Sequence, residues 1–380
     1  MIADTDEFVD SFLAKALSGP VLWPSQIKAD LVVRRALYHG IAGCLASRLG
    51  NWPTEAADPL RRAAMAQAMW EMRHQIVLSS LLQAMAAAGI RVLVLKGSAL
   101  AYDLYDSPAA RSRGDSDILI EPKDLPAARA VLSDQGFSHF YDDPTADENV
   151  RLQEAWTHRT ADGLMHEVDL HWQTLNAPAL ADLFPFTEIW TRARALPRLA
   201  PVAYGLARDS ALLFACAHRA QHIVNPYFVD GSIYYGGDRL IWLYDIDLLS
   251  RALDETEWAA FEVAVRQSDL AEVALHGLQM AADRLGTPLP CDVISRLERM
   301  NLKTKSSRYL LSSRQTGRAW RDLRAIQGSK AKAAFLAGRA FPSEAFIRAK
   351  YPDMADRPLL LLHLRRILNF VKPRPRGVGQ

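Results

Sequence analysis

From Phe8 to about Ala88 apolar residues recur at every third or fourth position, as in Phe12, Leu13 and Leu17 and again in Ile76, Leu78, Leu81, Leu82 and Met85. That period buries one face of a helix, so the first part of the chain is predicted to be helical. Gly89 follows Ala86-Ala87-Ala88 where a helix C-cap is expected, and Arg91-Val92-Leu93-Val94-Leu95 changes to a short apolar run with two β-branched residues. A sheet begins there. After Gly97-Ser98, residues Ala99 to Tyr105 suit a short helix that ends at Asp106-Ser107-Pro108. A second strand is predicted over Asp115 to Ile120, and Asp124 is expected to cap a helix from Leu125 to Gln135, with Pro126 in its first turn and Gly136 at its end.

Further strands are expected at Phe137 to Tyr141 and Met165 to Trp172, with the acidic stretch Asp142 to Glu148 as a loop. Beyond residue 200 the helical period returns in Asp209 to Val224, Arg239 to Ala252, Glu255 to Arg266, Leu270 to Leu285 and Lys330 to Ala337, separated by Gly- and Pro-bearing loops. The Gly- and Tyr-rich stretch Asn225 to Asp238 reads as a lid or a long surface loop. No internal repeat or low-complexity tract is visible. The pattern divides the chain into an N-terminal helical region (1–74), a mixed α/β unit (75–200) and a C-terminal helical domain (201–380).

Composition narrows this picture. About half of the 380 residues are hydrophobic (49%), enough for more than one core. Cys44, Cys216 and Cys291 stand far apart, so neither a disulfide framework nor a cysteine-rich zinc site is indicated. The N-terminus is acidic, unlike an export signal, and the longest apolar stretches are too short or too interrupted to span a bilayer. A cytoplasmic protein without membrane partners is expected. The formal net charge of +2 conceals eighteen Lys and Arg in residues 301 to 380 against Asp322, Glu344, Asp353 and Asp356. Such a basic end suits RNA, an acidic substrate, the acidic remainder of the chain, or a solvated surface.

In a strand, residues two apart point the same way, so Asp115 and Asp117 face together while Ser116 and Ile118 face away. Paired carboxylates suit a divalent cation that bridges protein oxygens to nucleotide phosphates. A solvated strand end is the bland alternative. Upstream, an apolar strand runs into Lys96-Gly97-Ser98 and then a helix, which directs backbone N–H groups and a hydroxyl toward one spot that favours phosphate. Gly97 allows close approach of the backbone, and Ser98 is expected to donate to phosphate while capping the helix. In Met165 to Trp172 the residues Val168, Leu170 and Trp172 alternate with Glu167, Asp169 and His171. Asp169 could therefore complete a three-carboxylate site and take a proton from an attacking hydroxyl, unless this is an edge strand with a polar outer face.

These residues resemble the DNA polymerase β-like nucleotidyltransferases, and within them the bacterial group described as uncharacterised nucleotidyltransferases. The resemblance is carried by Leu95-Lys96-Gly97-Ser98, by Tyr105-Asp106-Ser107-Pro108-Ala109-Ala110-Arg111, by Asp115-Ser116-Asp117-Ile118-Leu119-Ile120 and by Asp169-Leu170-His171-Trp172. His218 and Trp242-Leu243-Tyr244-Asp245 extend it. Ser116 departs from the family's apolar residue, which reads as a minor packing change. The resemblance implies an α+β protein built on the minimal nucleotidyltransferase fold, a small mixed sheet flanked by helices and joined to a helical domain that helps bind the acceptor. It implies Mg²⁺ or Mn²⁺ held by Asp115, Asp117 and Asp169, with a nucleoside triphosphate such as ATP on Lys96, Gly97, Ser98 and Arg111. The implied chemistry transfers a nucleoside monophosphate to a hydroxyl or phosphate and releases pyrophosphate. His171, His218 and Asp245 become candidates for the acceptor side.

His218 and His222 stand four apart on one predicted helix, the spacing of helical zinc sites, but no glutamate base lies between them. Of Asp245 and Asp247, only one is expected on the buried helix face. Arg113, like Arg111, flanks the carboxylate strand and could steady a triphosphate. Three functions remain: a transferase acting on a small molecule or peptide, a tRNA-modifying transferase of the toxin type, and an idle nucleotide-binding module.

Overall fold

The computed structural model describes residues 2–139, 152–224, 226–229, 232–235 and 237–340, together with residues 344, 347, 348, 351, 354 and 356–371. The chain opens with four helices, α1 (Ile2–Ser18), α2 (Ala29–His39), α3 (Ala42–Leu45) and the long α4 (Thr54–Ala87). The end of α4 is tied off as expected: Gly89 takes a positive φ of 74°, and the Ile90 N–H donates to the Met85 carbonyl. Then come β1 (Leu93–Val94), α5 (Lys96–Asp103), β2 (Asp115–Leu119), α6 (Leu125–Asp134), β3 (Ser138–His139), β4 (Gln153–Arg159) and β5 (Met165–His171). The unit continues through α7 (Phe186–Trp190), β6 (Arg194–Ala195) and β7 (Tyr204–Gly205).

All these strands form one mixed sheet of order β3-β4-β5-β2-β1-β7-β6. β2 runs antiparallel to β1 and parallel to β5, whereas β5 is antiparallel to β4. β5 is therefore an interior strand, and the edge-strand reading of its polar face does not hold. One side of the sheet buries Val94, Ile118, Val168, Leu170 and Trp156 against Leu78, Leu81 and Met85 of α4 and Leu132 of α6. This apolar layer follows from the alternation of each strand meeting the three-four period of two helices.

The chain then continues into α8 (Arg208–Ile223), β8 (Pro226–Val229), β9 (Ser232–Tyr235), α9 (Leu240–Ala252), α10 (Glu255–Ser268) and α11 (Ala271–Leu285). A second buried cluster joins these helices to α1, α2 and α3 and to Leu93, Leu95 and Leu119 of the sheet. Beyond lie α12 (Cys291–Glu298), α13 (Lys305–Leu310), α14 (Gln315–Ala325), α15 (Ser329–Ala340) and α16 (Leu359–Val371). Among the described residues no helix is long and apolar enough to cross a membrane.

Several local expectations are corrected. The stretch expected to be a lid or loop contains an antiparallel hairpin, with Tyr227 opposite Tyr234 and Phe228 opposite Ile233. Its signal lay in the sequence, where Asp230-Gly231 separates two runs rich in aromatic and β-branched residues. β4, β6 and β7 were not foreseen, and four of the seven strands are two residues long, too short for periodicity to register. The helix after the glycine turn begins at Lys96 rather than Ala99, so Ser98 sits inside its first turn and makes no capping bond. Asp124 likewise flanks α6 without a side-chain cap. Asp245 and Asp247 are both buried, since Asp247 is covered by an ion pair to Arg251, one turn along at 2.8 Å. The expected acidic loop Asp142 to Glu148 lies outside the described residues.

Candidate active site

The parallel register of β2 and β5 sets Asp115 beside Glu167 and Asp117 beside Asp169. Because alternate residues share a face, four carboxylates stand together on the side of the sheet opposite the α4 layer. They line a cavity of about 720 Å³ that also receives the start of α5 and residues of α8 and α9. The turn into α5 is fixed by the Leu95 N–H, which donates to the Asp117 carbonyl at 2.9 Å. Lys96 adopts a positive φ of 51°, a conformation that costs a side-chain-bearing residue energy and is held where the surroundings determine it. Here the side chain is drawn back onto the strand, and Lys96 Nζ pairs with Asp117 Oδ1.

Like charges this close do not ionise equally. Burial raises Asp169 to about 8, with the charges of Asp117 and Asp115 adding to the effect. Enclosure by protein and the Asp117 charge raise Asp115, and Glu167 is raised by burial and by both aspartates. Asp117 goes the other way: burial works against its charge, but Lys96 and a hydrogen bond from His171 hold it well below the usual carboxylate range. His171 Nε2 lies 2.8 Å from Asp117 Oδ1, and burial keeps this imidazole neutral, so Nε2–H donates to the carboxylate. Gln153 on β4 donates to Asp169 Oδ2 at 3.1 Å. Ligand-type atoms of Asp117, Asp169 and His171 all lie within 4.8 Å of one another, a group that does not include Asp115. A cluster that already recruits Lys96 and retains protons to relieve its repulsion is suited to a divalent cation with oxygen ligands.

Not every candidate faces the carboxylates in the expected way. Arg111 is clamped by Asp245: its Nε and Nη2 donate to the two carboxylate oxygens at 2.9 and 2.7 Å, and Tyr105 donates to Oδ1 at 2.7 Å. Both residues line the cavity, but the pair is nearly fully buried. Gly97 owes its identity partly to this clamp, because a Cβ there would stand 3.1 Å from the Arg111 guanidinium. Arg113 is paired with Glu71 at 2.6 Å. His218 and His222 also line this cavity, within electrostatic reach of Lys96 and Asp117, their rings 4.3 Å apart and next to Trp242. No metal ligand set including them is found among the described residues.

Sequence reading missed a second polar feature, behind the carboxylate strand. Ser116 is fully buried and bonded on both sides, to Ser98 Oγ at 2.7 Å and to His74 Nε2 at 2.6 Å. His74 Nδ1 in turn meets His166 Nδ1 at 3.2 Å, and Trp70 stacks on His74 at 4.2 Å. Ser116 is thus no minor packing change, since it links the glycine turn to two buried imidazoles that burial keeps neutral. His166 Nε2 has no partner, which sets the direction of the string. If the serines donated toward the histidines, that atom would carry a buried orphan proton. Donation from His166 through His74 and Ser116 to Ser98 leaves an unpaired acceptor there instead, the less costly arrangement. Ser98 accepts from Ser116 and keeps its own proton to donate, here toward the Asp115 carbonyl at 3.3 Å. Ser116 stood out in the sequence only as a departure from the family's apolar residue, and nothing there tied it to His74, 42 positions earlier.

A glycine turn and a carboxylate cluster facing one cavity on a mixed sheet define an enzyme of group transfer. The class is narrower than that. Residues 25–286, more than half of the chain, match the model of a family described as uncharacterised nucleotidyltransferase, and the protein belongs to that family. It is a nucleotidyltransferase with an α+β fold. No curated protein matches the chain.

Proposed function

We propose that the protein transfers a nucleoside monophosphate from a nucleoside triphosphate to an acceptor hydroxyl or phosphate, releasing pyrophosphate, in the manner of the DNA polymerase β-like nucleotidyltransferases. The observation that carries this reading is the β2–β5 register, which aligns Asp117 with Asp169 in the cavity entered by the glycine turn. Mg²⁺ or Mn²⁺ held by Asp115, Asp117 and Asp169 would supply charge neutralisation for the polyphosphate and the leaving group. The protein's own residues do the rest. The backbone N–H groups of Gly97 and Ser98 and the Ser98 hydroxyl meet the phosphates at the positive end of α5. His171 and Lys96 orient Asp117. Asp169 accepts the proton of the attacking hydroxyl once its own proton has been displaced.

The acceptor in this reading is a small molecule or a peptide. Transfer to tRNA is the second reading, carried by the excess of Lys and Arg in residues 301 to 380. Phosphate contacts would make such binding fall steeply with salt. Calorimetry with ATP, GTP, CTP and UTP tests the main proposal. Binding is expected with Mg²⁺ or Mn²⁺ and not with EDTA, and Asp117→Asn should abolish transfer in a protein that still folds, as checked by thermal melting. Undiminished affinity in EDTA, or full turnover of Asp117→Asn, contradicts it.

A further inference from the structure

The polar lining of the cavity falls into two chemically different sets. Around the carboxylates every cationic group has a partner: Lys96 is paired with Asp117, Arg111 with Asp245 and Arg113 with Glu71. A second set lines the same cavity: Thr174 and Asn176, which follow β5, His218, Gln221 and His222 of α8, and Trp242 of α9. Arg239 also lines the cavity but donates to the Tyr38 carbonyl at 2.7 Å. The polar groups of the second set are therefore a hydroxyl, two carboxamides and two imidazoles beside an indole.

Thr174 is the member of this set that points to a bound group. Its side chain is 2% exposed and lines the cavity, yet Oγ1 has no hydrogen-bond partner. A buried hydroxyl left unpaired is destabilising, a deficit that a bound group relieves. The two imidazoles are packed among protein atoms, which disfavours their charged form, and Lys96 also bears on His222. A neutral imidazole offers one donor and one acceptor, as a hydroxyl or a carboxamide offers both. This combination complements groups that themselves donate and accept. An anionic acceptor would require an unpaired cation within this set, and a cationic one a carboxylate. Apolar walls with a few convergent polar groups are the usual construction of a small-molecule site.

Resting on the nucleotidyl-transfer reading, we propose that Thr174, Asn176, His218, Gln221, His222 and Trp242 form the acceptor subsite, and that the acceptor is a neutral, hydroxyl-rich small molecule of the sugar or polyol class. In the reaction a bond forms between an acceptor hydroxyl oxygen and the α-phosphorus. The bond from that phosphorus to the bridging oxygen of the β-phosphate breaks, pyrophosphate leaves with the electron pair, and the hydroxyl proton passes to the Asp169 carboxylate.

The test uses the full chain with Mn²⁺ and each nucleoside triphosphate. The probes are glucose, galactose, mannose, ribitol and myo-inositol, with glucose 6-phosphate, glucosamine and a tRNA transcript as charged counterparts. Product mass and pyrophosphate release are the readouts. Transfer to at least one neutral probe is expected, with the phosphorylated and amino counterparts at least tenfold poorer. Thr174→Val, which removes the hydroxyl and keeps the shape, should raise KM for that probe about tenfold while leaving nucleotide affinity unchanged. Preferred transfer to a charged probe or to tRNA overturns the proposal, as does an unchanged KM in Thr174→Val. Tight nucleotide binding with no neutral probe labelled also overturns the acceptor class but leaves nucleotidyl transfer standing. Failure to bind any nucleotide would sink that underlying reading instead.

Discussion

The raised carboxyl of Asp169 predicts that metal binding expels a proton. With its pKa at about 8, the group is roughly 0.9 protonated at pH 7 and about 0.1 protonated at pH 9 in the metal-free protein. A cation ligated by the carboxylate displaces that proton, so metal affinity should rise almost tenfold per pH unit up to about pH 7 and level off above pH 8. The assay is a calorimetric titration with Mn²⁺ in buffers of different ionisation enthalpy, where the slope of observed heat against buffer enthalpy counts protons released. A slope near 0.9 is expected at pH 7, near zero at pH 9, and much reduced at pH 7 in Asp169→Asn. The same shift has a consequence for stability. The folded pKa lies above the unfolded value of 3.8, so the native state holds a proton that the unfolded state loses across that window. The contribution is full below about pH 4 and lost as pH rises through 8. Metal-free protein should therefore melt at a lower temperature at pH 8.5 than at pH 6, and saturating Mn²⁺ should reverse most of the difference. A buffer-independent heat at pH 7, or the same slope in Asp169→Asn, would refute the reasoning.

Three further outcomes follow from the geometry. Asp169→Asn should bind metal-nucleotide with modestly reduced affinity while transfer falls by orders of magnitude, whereas Asp115→Asn should damage both, as measured on one preparation of each variant. If the buried string orients the Ser98 hydroxyl, Ser116→Ala should weaken nucleotide binding about three- to tenfold in the wild type and have no further effect on a Ser98→Ala background. Equal losses in both backgrounds would reduce the string to packing. Gly97→Ala would push a Cβ to 3.1 Å from a guanidinium already fixed by Asp245, so a loss of about 1–3 kcal/mol in denaturant unfolding is expected.

How much of this was legible along the chain depends on the range of the interaction. The two aspartates of β2 face together because a strand alternates, and that holds for any sheet in which Asp115 and Asp117 are placed. The helical periods of α4, α8, α9, α10 and α11, the stop at Gly89 and the glycine turn before α5 are also local properties, set by backbone preference and by which face must be apolar. Asp169 stood out for the same reason, on the polar side of an alternating run.

Which residues meet across the fold is another matter, because strand register and helix docking are set by contacts far apart in sequence. Parallel pairing of β2 with β5 brings Asp117 beside Asp169, and a slip of one residue would have turned the carboxylates of β5 to the apolar layer. Arg111 and Asp245, 134 positions apart, became a buried ion pair only when α9 packed beside the loop before β2. Ser116, on the hidden face of the carboxylate strand, acquired two hydrogen bonds because α4 presents His74 at that depth and α5 presents Ser98. Packing likewise left the buried Thr174 hydroxyl without a partner. Local periodicity thus determined the elements and the paired carboxylates, while the charges, proton positions and neighbours that give them chemistry arose from tertiary packing, since burial and Coulomb interaction depend on distance in space rather than along the chain.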